Sequence, residues 1–145
     1  MMDKKDSLII DSLKENSRKS VKELAKELGM PRTTVFDRIK KLETDGFIKK
    51  YTIVPDYEKL NLGTTSMVLI TYDYKSGIDQ NEVAKQIAKI PGVEEVYIIT
   101  GTFDIIIKVR GENLKKIGET ILDRVRGIRG VAATLSCLVF RTVKE

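Results

Sequence analysis

The chain has 145 residues, 41% of them apolar and 32% charged, a balance that fits one ordinary folded domain or two small ones. No apolar run approaches the ~20 residues needed to cross a bilayer, and the opening MMDKKDSLII lacks the apolar core of a signal peptide. The net charge of +5 is spread over both halves, which permits a polyanionic partner without demanding one. There is no histidine, and Cys137 is the only cysteine. The first fact removes the commonest general base and the commonest metal ligand, so no metal, cofactor or catalytic centre is expected. The second excludes an intrachain disulfide and fits a reducing, cytoplasmic setting.

Asp3 caps the first predicted helix, with Asp6 at the favourable N3 position. Ile9, Ile10 and Leu13 give that helix its apolar stripe, and Asn16 ends it. Ser20-Val-Lys-Glu23 is a capping box, in which each side chain satisfies the other residue's free amide. Val21, Leu24, Ala25 and Leu28 then fall on one face, and Gly29 stands where a left-handed residue closes a helix. Pro31 restarts the chain as an N1 residue. Val35, Ile39 and Leu42 form the next stripe, and Gly46 ends it. Two short helices joined by about three residues are the signature of a helix-turn-helix.

The third helix carries a second face. Arg32, Thr33, Phe36, Asp37 and Lys40 lie opposite its apolar stripe. Arg32, Thr33 and Thr34 occupy the first turn, the part of a recognition helix that meets base edges. Arginine reads guanine with two hydrogen bonds, and Phe36 can touch a thymine methyl, although it suits a core position equally well. Arg38, Lys40 and Lys41 are placed for phosphates. FIKKYTIV, residues 47–54, reads as a strand with Lys49 and Lys50 exposed, as in the wing of a winged helix. The competing reading is a small helical bundle with a solvated basic face.

The joint PDYEKLNLG, 55–63, is polar without being a Gly/Ser tether, and the domain boundary is placed between residues 61 and 62. Beyond it the pattern changes. Strands are expected over 66–74, 93–99, 104–109 and 131–140. A helix begins at the Asp79-Gln-Asn-Glu82 capping box and buries Val83, Ile87 and Ile90. Another is capped by Asn113 and carries Leu114, Ile117, Ile121, Val125 and Ile128. The order β-α-β-β-α-β is that of a ferredoxin-like domain, so the whole chain is α+β. A weak internal repeat supports it: Ile90-Pro-Gly-Val93 and Ile128-Arg-Gly-Val131 mark the two helix-to-strand joins alike. Both helices then cover one face of the sheet, and a homodimer is the simplest cover for the other.

TGTFDI, 100–105, joins the two strands between the helices. Gly101 supplies positive φ. Asp104 can accept from an ammonium group, and free amides at Gly101 and Thr102 can hold a carboxylate, the two ends of an α-amino acid. Spacing alone favours the plainer alternative, a turn in which Asp104 bonds its own loop.

These motifs together resemble the Lrp/AsnC, or feast/famine, transcription regulators. The resemblance rests on PRTTVFDRIKKLETDGFIKKYT, on PDYEKLNLG and on TGTFDIIIKV, and with the element order it spans nearly the whole chain. It implies an N-terminal winged helix-turn-helix over 1–61 and a ferredoxin-like effector and oligomerisation domain over 62–145. It implies dimers paired through their sheets, assembly into octameric or similar rings, and a roughly palindromic double-stranded DNA site. It also implies a small effector, often an amino acid, lined by Gly101, Thr102, Phe103 and Asp104, with Thr134 and Ser136 on the last strand. Two positions depart from the family pattern: Pro31 stands where a capping Ser is common, and Thr102 where an acid is frequent. A related architecture serves decarboxylases acting on sirohaem-type substrates, whose working groups include histidine; this chain has none, and Asp104 is its only conspicuous candidate acid. A third reading, an amino-acid sensor that acts through another protein, turns on whether residues 1–60 bind DNA.

Overall fold

The computed structural model describes residues 1–145, in two units that divide between Val54 and Pro55. The first unit holds α1 (Lys4–Glu15), α2 (Val21–Leu28) and α3 (Arg32–Thr44). The capping signals read from the sequence are present as hydrogen bonds. Asp3 and Asp6 cap reciprocally at the start of α1, as do Ser20 and Glu23 at the start of α2. Gly29 closes α2 in the left-handed region at φ 63°. Pro31 occupies the cap position of α3 rather than its first turn, with ψ 144°, and no side chain caps that helix. The core is small: Ile9, Leu13, Leu24, Ala25, Met30, Val35 and Leu42, with Ile39 and Ile48 packed against it.

The expected wing strand is absent. Residues 47–54 join no ladder, because the first unit offers no second strand to pair with them. Ile48 instead donates its amide to Leu42 O at the end of α3, and Tyr51 donates its hydroxyl to Glu43 Oε1 at 2.6 Å. Ile53 and Val54 are left about three-quarters exposed, at 78% and 76%.

The second unit runs β1 (Thr64–Tyr72), α4 (Gln80–Ala88), β2 (Val93–Ile98), β3 (Ile105–Gly111), α5 (Leu114–Glu119) and β4 (Val131–Leu138). The strands form one antiparallel sheet in the order β2-β3-β1-β4, the ferredoxin-like arrangement. The joint belongs to this unit, which moves the division upstream of the expected 61/62. Leu62 donates its amide to Tyr57 O, and the Tyr57 ring lies 3.5 Å from the Arg110 guanidinium. Arg110 is nearly buried and bonds to Glu94, Thr65 and Glu145.

Strand ends shift by one or two residues from the sequence expectation, and two helices differ in kind. Asp79 caps α4 through the Asn81 amide, while Glu82 pairs with Lys85 at 2.7 Å instead of completing a capping box. After Glu119 the chain widens into a π-helical stretch, Thr120–Val125, with the Arg126 amide donating to Ile121 O. The buried residues Ile117, Ile121 and Val125 recur every four positions. That spacing drifts around an ordinary 3.6-residue helix, and the wider turn keeps all three facing the sheet.

The internal repeat is structural. Val93 donates to Ile90 O and Val131 donates to Ile128 O, each at 3.1 Å, closing equivalent turns around Gly92 at φ 91° and Gly130 at φ 103°. α4, α5 and the π-helical stretch cover one face, packing Val83, Ile87, Ile117 and Ile121 on Val68, Ile70, Ile105, Ile107 and Val109. The register puts Met67, Leu69, Ile106, Tyr97, Leu135 and Cys137 on the other face. No helix covers that face. No helix of the chain is long and apolar enough to cross a membrane.

Candidate functional site

Helix α3 presents its predicted outer face. Arg32, Thr33, Phe36, Asp37, Lys40 and Lys41 are exposed, and Thr34 is half-buried. Phe36 is 55% exposed, which removes it from the core and places it outward between Arg32 and Lys40, one turn to either side. Lys49 and Lys50 are exposed on the irregular segment that follows. None of Arg32, Lys40, Lys41, Lys49 or Lys50 is in an ion pair, so their charge is available to a polyanion.

Arg38 differs from the rest. Its Nη1 donates to Asp3 Oδ2 at 2.8 Å and to Asp6 Oδ1 at 2.7 Å. The hydrogen bonds to Asp6 and Asp3 raise the guanidinium pKa further. Asp3 is held down at about 2, first by the Asp6 amide and then by Arg38. Arg38, expected at a phosphate, is thus held in an internal pair in this structure. Sequence spacing missed it because its partners are more than thirty residues upstream.

In the second unit Thr100–Phe103 closes the β2–β3 connection. Gly101 has φ 116°, and a Cβ there would meet nothing within 4 Å, so its role is conformational. The amides of Gly101, Thr102 and Phe103 donate to no backbone acceptor. Asp104 is a junction. Its amide donates to Ile70 O, and its carbonyl accepts from the Ile99 amide and from Gln80 Nε2. Its carboxylate accepts from the Tyr72 amide and the Tyr74 hydroxyl, each at 2.8 Å. The bond to Asp104 raises the Tyr74 pKa, so the phenol stays a donor. The Asp104 carboxylate thus serves β1 and its continuation rather than its own loop. A carboxylate has about four acceptor positions, and two of these are filled.

On β4, Thr134 lies opposite Ile70 and Ser136 opposite Val68. Asp104 and Thr134 therefore flank Ile70 from the two sides of β1, roughly two strand spacings, or about 10 Å, apart. Thr134 Oγ1 accepts from Arg126 Nε at 2.8 Å. Ser136 is exposed and two residues further along. Tyr72, Tyr74 and Gln80 were not legible as members of this cluster, since only the strand register brings them to it. No group of His, Cys, Asp and Glu in the chain is arranged to hold a metal ion.

The two units are those of a DNA-binding transcription regulator with a helix-turn-helix and a separate ligand-binding domain. The profile of a winged helix-turn-helix DNA-binding domain matches residues 2–49, and that of the Lrp/AsnC ligand binding domain matches 65–145. The chain is 50% identical over its full length to an uncharacterized HTH-type transcriptional regulator of Pyrococcus furiosus, covering 97% of that protein. It is 40% identical to the HTH-type transcriptional regulator LysM of Saccharolobus solfataricus, over 97% of this chain and 95% of LysM. Among solved structures, a transcriptional regulator of Neisseria meningitidis in complex with L-Met superposes with a TM-score of 0.92 at 25% identity, covering 100% of this chain and 94% of that one. The chain belongs to the Lrp/AsnC family of transcription regulators.

Proposed function

We propose that α3 enters the major groove of double-stranded DNA and reads sequence there. Arg32, Thr33, Thr34 and Phe36 meet base edges, with Asp37 on the same face, while Lys40, Lys41, Lys49 and Lys50 fix the register through phosphates. The observation that carries this reading is the exposed row Arg32, Phe36, Lys40 on one face of α3, with both cations unpaired. The protein acts as a homodimer formed through the apolar open faces of two sheets, so the operator is roughly palindromic. Dimers assemble further.

An amino-acid effector binds at Gly101, Thr102, Phe103 and Asp104, with Thr134 and Ser136 nearby. The unpaired loop amides suit its carboxylate and the Asp104 carboxylate suits its ammonium. Its differential affinity for the assembly states shifts DNA occupancy. The protein works in the cytoplasm by binding alone, without a cofactor or a catalytic step.

The test is selection of bound duplexes from a random pool by the full chain, at low and near-physiological salt. A palindromic motif with half-sites about one helical turn apart, surviving the higher salt, is the expected result. Sequence-blind binding that vanishes with salt would overturn the reading.

A further inference from the structure

We propose that Arg38 is a positioning residue for DNA reading: its pair with Asp3 and Asp6 sets the rotation of α3 and does not itself contact DNA. The proposal rests on the placement of α3 in the major groove.

Three observations support it. Helix α3 buries only Val35 and Leu42 outright. These lie seven residues apart, or about 10 Å along the axis. With half-buried Ile39 between them they form one narrow apolar seam; apolar contacts are non-directional, so such a seam fixes the seat of a helix better than its rotation. The second observation is the pair itself. Arg38 stands on the flank of α3 beside that seam, and its Nη1 is shared between two carboxylates at 2.7 and 2.8 Å. Charge-assisted hydrogen bonds are directional and of fixed length. The third is the rigidity of the acceptors. Asp3 and Asp6 are locked to each other's backbone by the capping box that starts α1. The clip therefore ties the capped N-terminus of α1 to the middle of the reading helix.

The geometry sets the size of the effect. A 20° rotation of α3 carries an atom ~5–6 Å from the axis through about 2 Å. Hydrogen bonds to base edges tolerate only a few tenths of an ångström beyond their normal length. Loss of the clip thus degrades base contacts from Arg32 while leaving phosphate contacts, which lysines make as flexible point charges, nearly intact.

The test uses the full chain, the motif selected from the random pool, and the same motif with one half-site base replaced. Arg38→Met and the double variant Asp3→Asn, Asp6→Asn are compared with wild type at a temperature where circular dichroism shows all three folded. Asn caps helices about as well as Asp, so the double variant keeps α1 if Arg38→Met does not fold. The expected result is that both changes lower discrimination between the two duplexes about tenfold, with an unchanged slope of log affinity against log salt.

If Arg38 instead holds a phosphate, Arg38→Met lowers that slope by about 0.9, and the double variant frees Arg38 and binds every duplex more tightly. That outcome overturns the proposal. Unchanged discrimination and slope in both variants overturns it as well. Arg32→Ala is measured alongside. If it relaxes specificity while the clip variants do not, this proposal alone fails. If it too is silent, the DNA face is misplaced.

Discussion

Gly130→Ala is expected to destabilise the second unit strongly, and its cost can be assembled from the structure. Gly130 sits at φ +103°, and a Cβ there would stand 2.5 Å from Val83 Cγ2. Val83 is fully buried and cannot retreat. The backbone cannot slide either, because the Gly130 carbonyl accepts the Asp73 amide at 2.9 Å. An L-residue in the left-handed region costs about 1–2 kcal/mol, and overpacking a core adds about 1–3 kcal/mol. The sum, about 2–5 kcal/mol, is a large share of the ~5–15 kcal/mol typical of a domain.

Gly118→Ala provides the opposite sign. It lies within α5 with nothing within 4 Å of a Cβ, and Ala is favoured there by roughly 0.5–1 kcal/mol. Urea unfolding followed by tyrosine fluorescence isolates the unit, since Tyr57, Tyr72, Tyr74 and Tyr97 lie in it and only Tyr51 outside. Protein concentration is held fixed to remove the effect of association. A Gly130→Ala midpoint equal to wild type at unchanged m would refute the reasoning, as would a lower midpoint for Gly118→Ala.

Four further outcomes are expected. Arg32→Ala should lose about 1–3 kcal/mol of operator affinity and relax specificity at one base, read by repeating the selection; an unchanged motif would remove Arg32 from base reading. Lys49→Ala should weaken all duplexes alike and reduce the salt slope by about 1, checked by titrations at several salt concentrations. Leu135→Asp puts a charge on the open sheet face at a residue already 49% exposed, so it should yield folded monomers by sedimentation; retention of the wild-type mass would exclude that face as the interface. In acid, the helical unit should weaken. Asp3 is lowered from 3.8 to about 2, and Glu23 and Glu27 from 4.5 by their hydrogen bonds from Ser20 and Lys19. Depressed carboxylates contribute stability that is full above their unfolded values and lost as pH falls through the folded ones. Helical signal in urea should therefore decline from about pH 4.5 toward pH 2, and a flat profile over that window would contradict the pairing.

What the sequence revealed is what local chemistry encodes. The caps at Asp3 and Ser20, the left-handed Gly29 and the twin turns at Gly92 and Gly130 are each specified within four or five residues, and each is present in the structure. The order of helices and strands followed from the same local signals. The features it missed depend on distant partners. A wing strand cannot be judged from FIKKYTIV alone, because a strand exists only with a neighbour, and none is supplied within the first unit. The Asp79 box failed because Glu82 found a better partner in Lys85. The Arg38 pair was hidden by the 35 residues separating it from Asp3. Among the candidate site residues, the exposure of the α3 face was legible from helical periodicity. The partners of Asp104 were not, since they are set by strand register.

The placement of Asp104 also bears on how an effector site in this unit would act. A binding residue on a free loop would move alone. Asp104 instead holds β1 through Ile70 O, the Tyr72 amide and the Tyr74 hydroxyl, and holds α4 through Gln80. An ammonium at this carboxylate finds two acceptor positions open, and the donor most easily displaced is the Tyr74 hydroxyl, on a residue that is 74% exposed. The Tyr72 amide is fixed in the chain and stays. A ligand that displaced a donor would therefore release Tyr74 and leave the sheet intact. Tyr74 packs edge-on against Tyr72, with ring centres 4.9 Å apart. The Tyr72 hydroxyl in turn bonds Ile78 O, just ahead of α4. Release of Tyr74 would thus alter the surface around Tyr74 and the start of α4 rather than the core, and a surface change is what an effector needs if it acts by altering assembly.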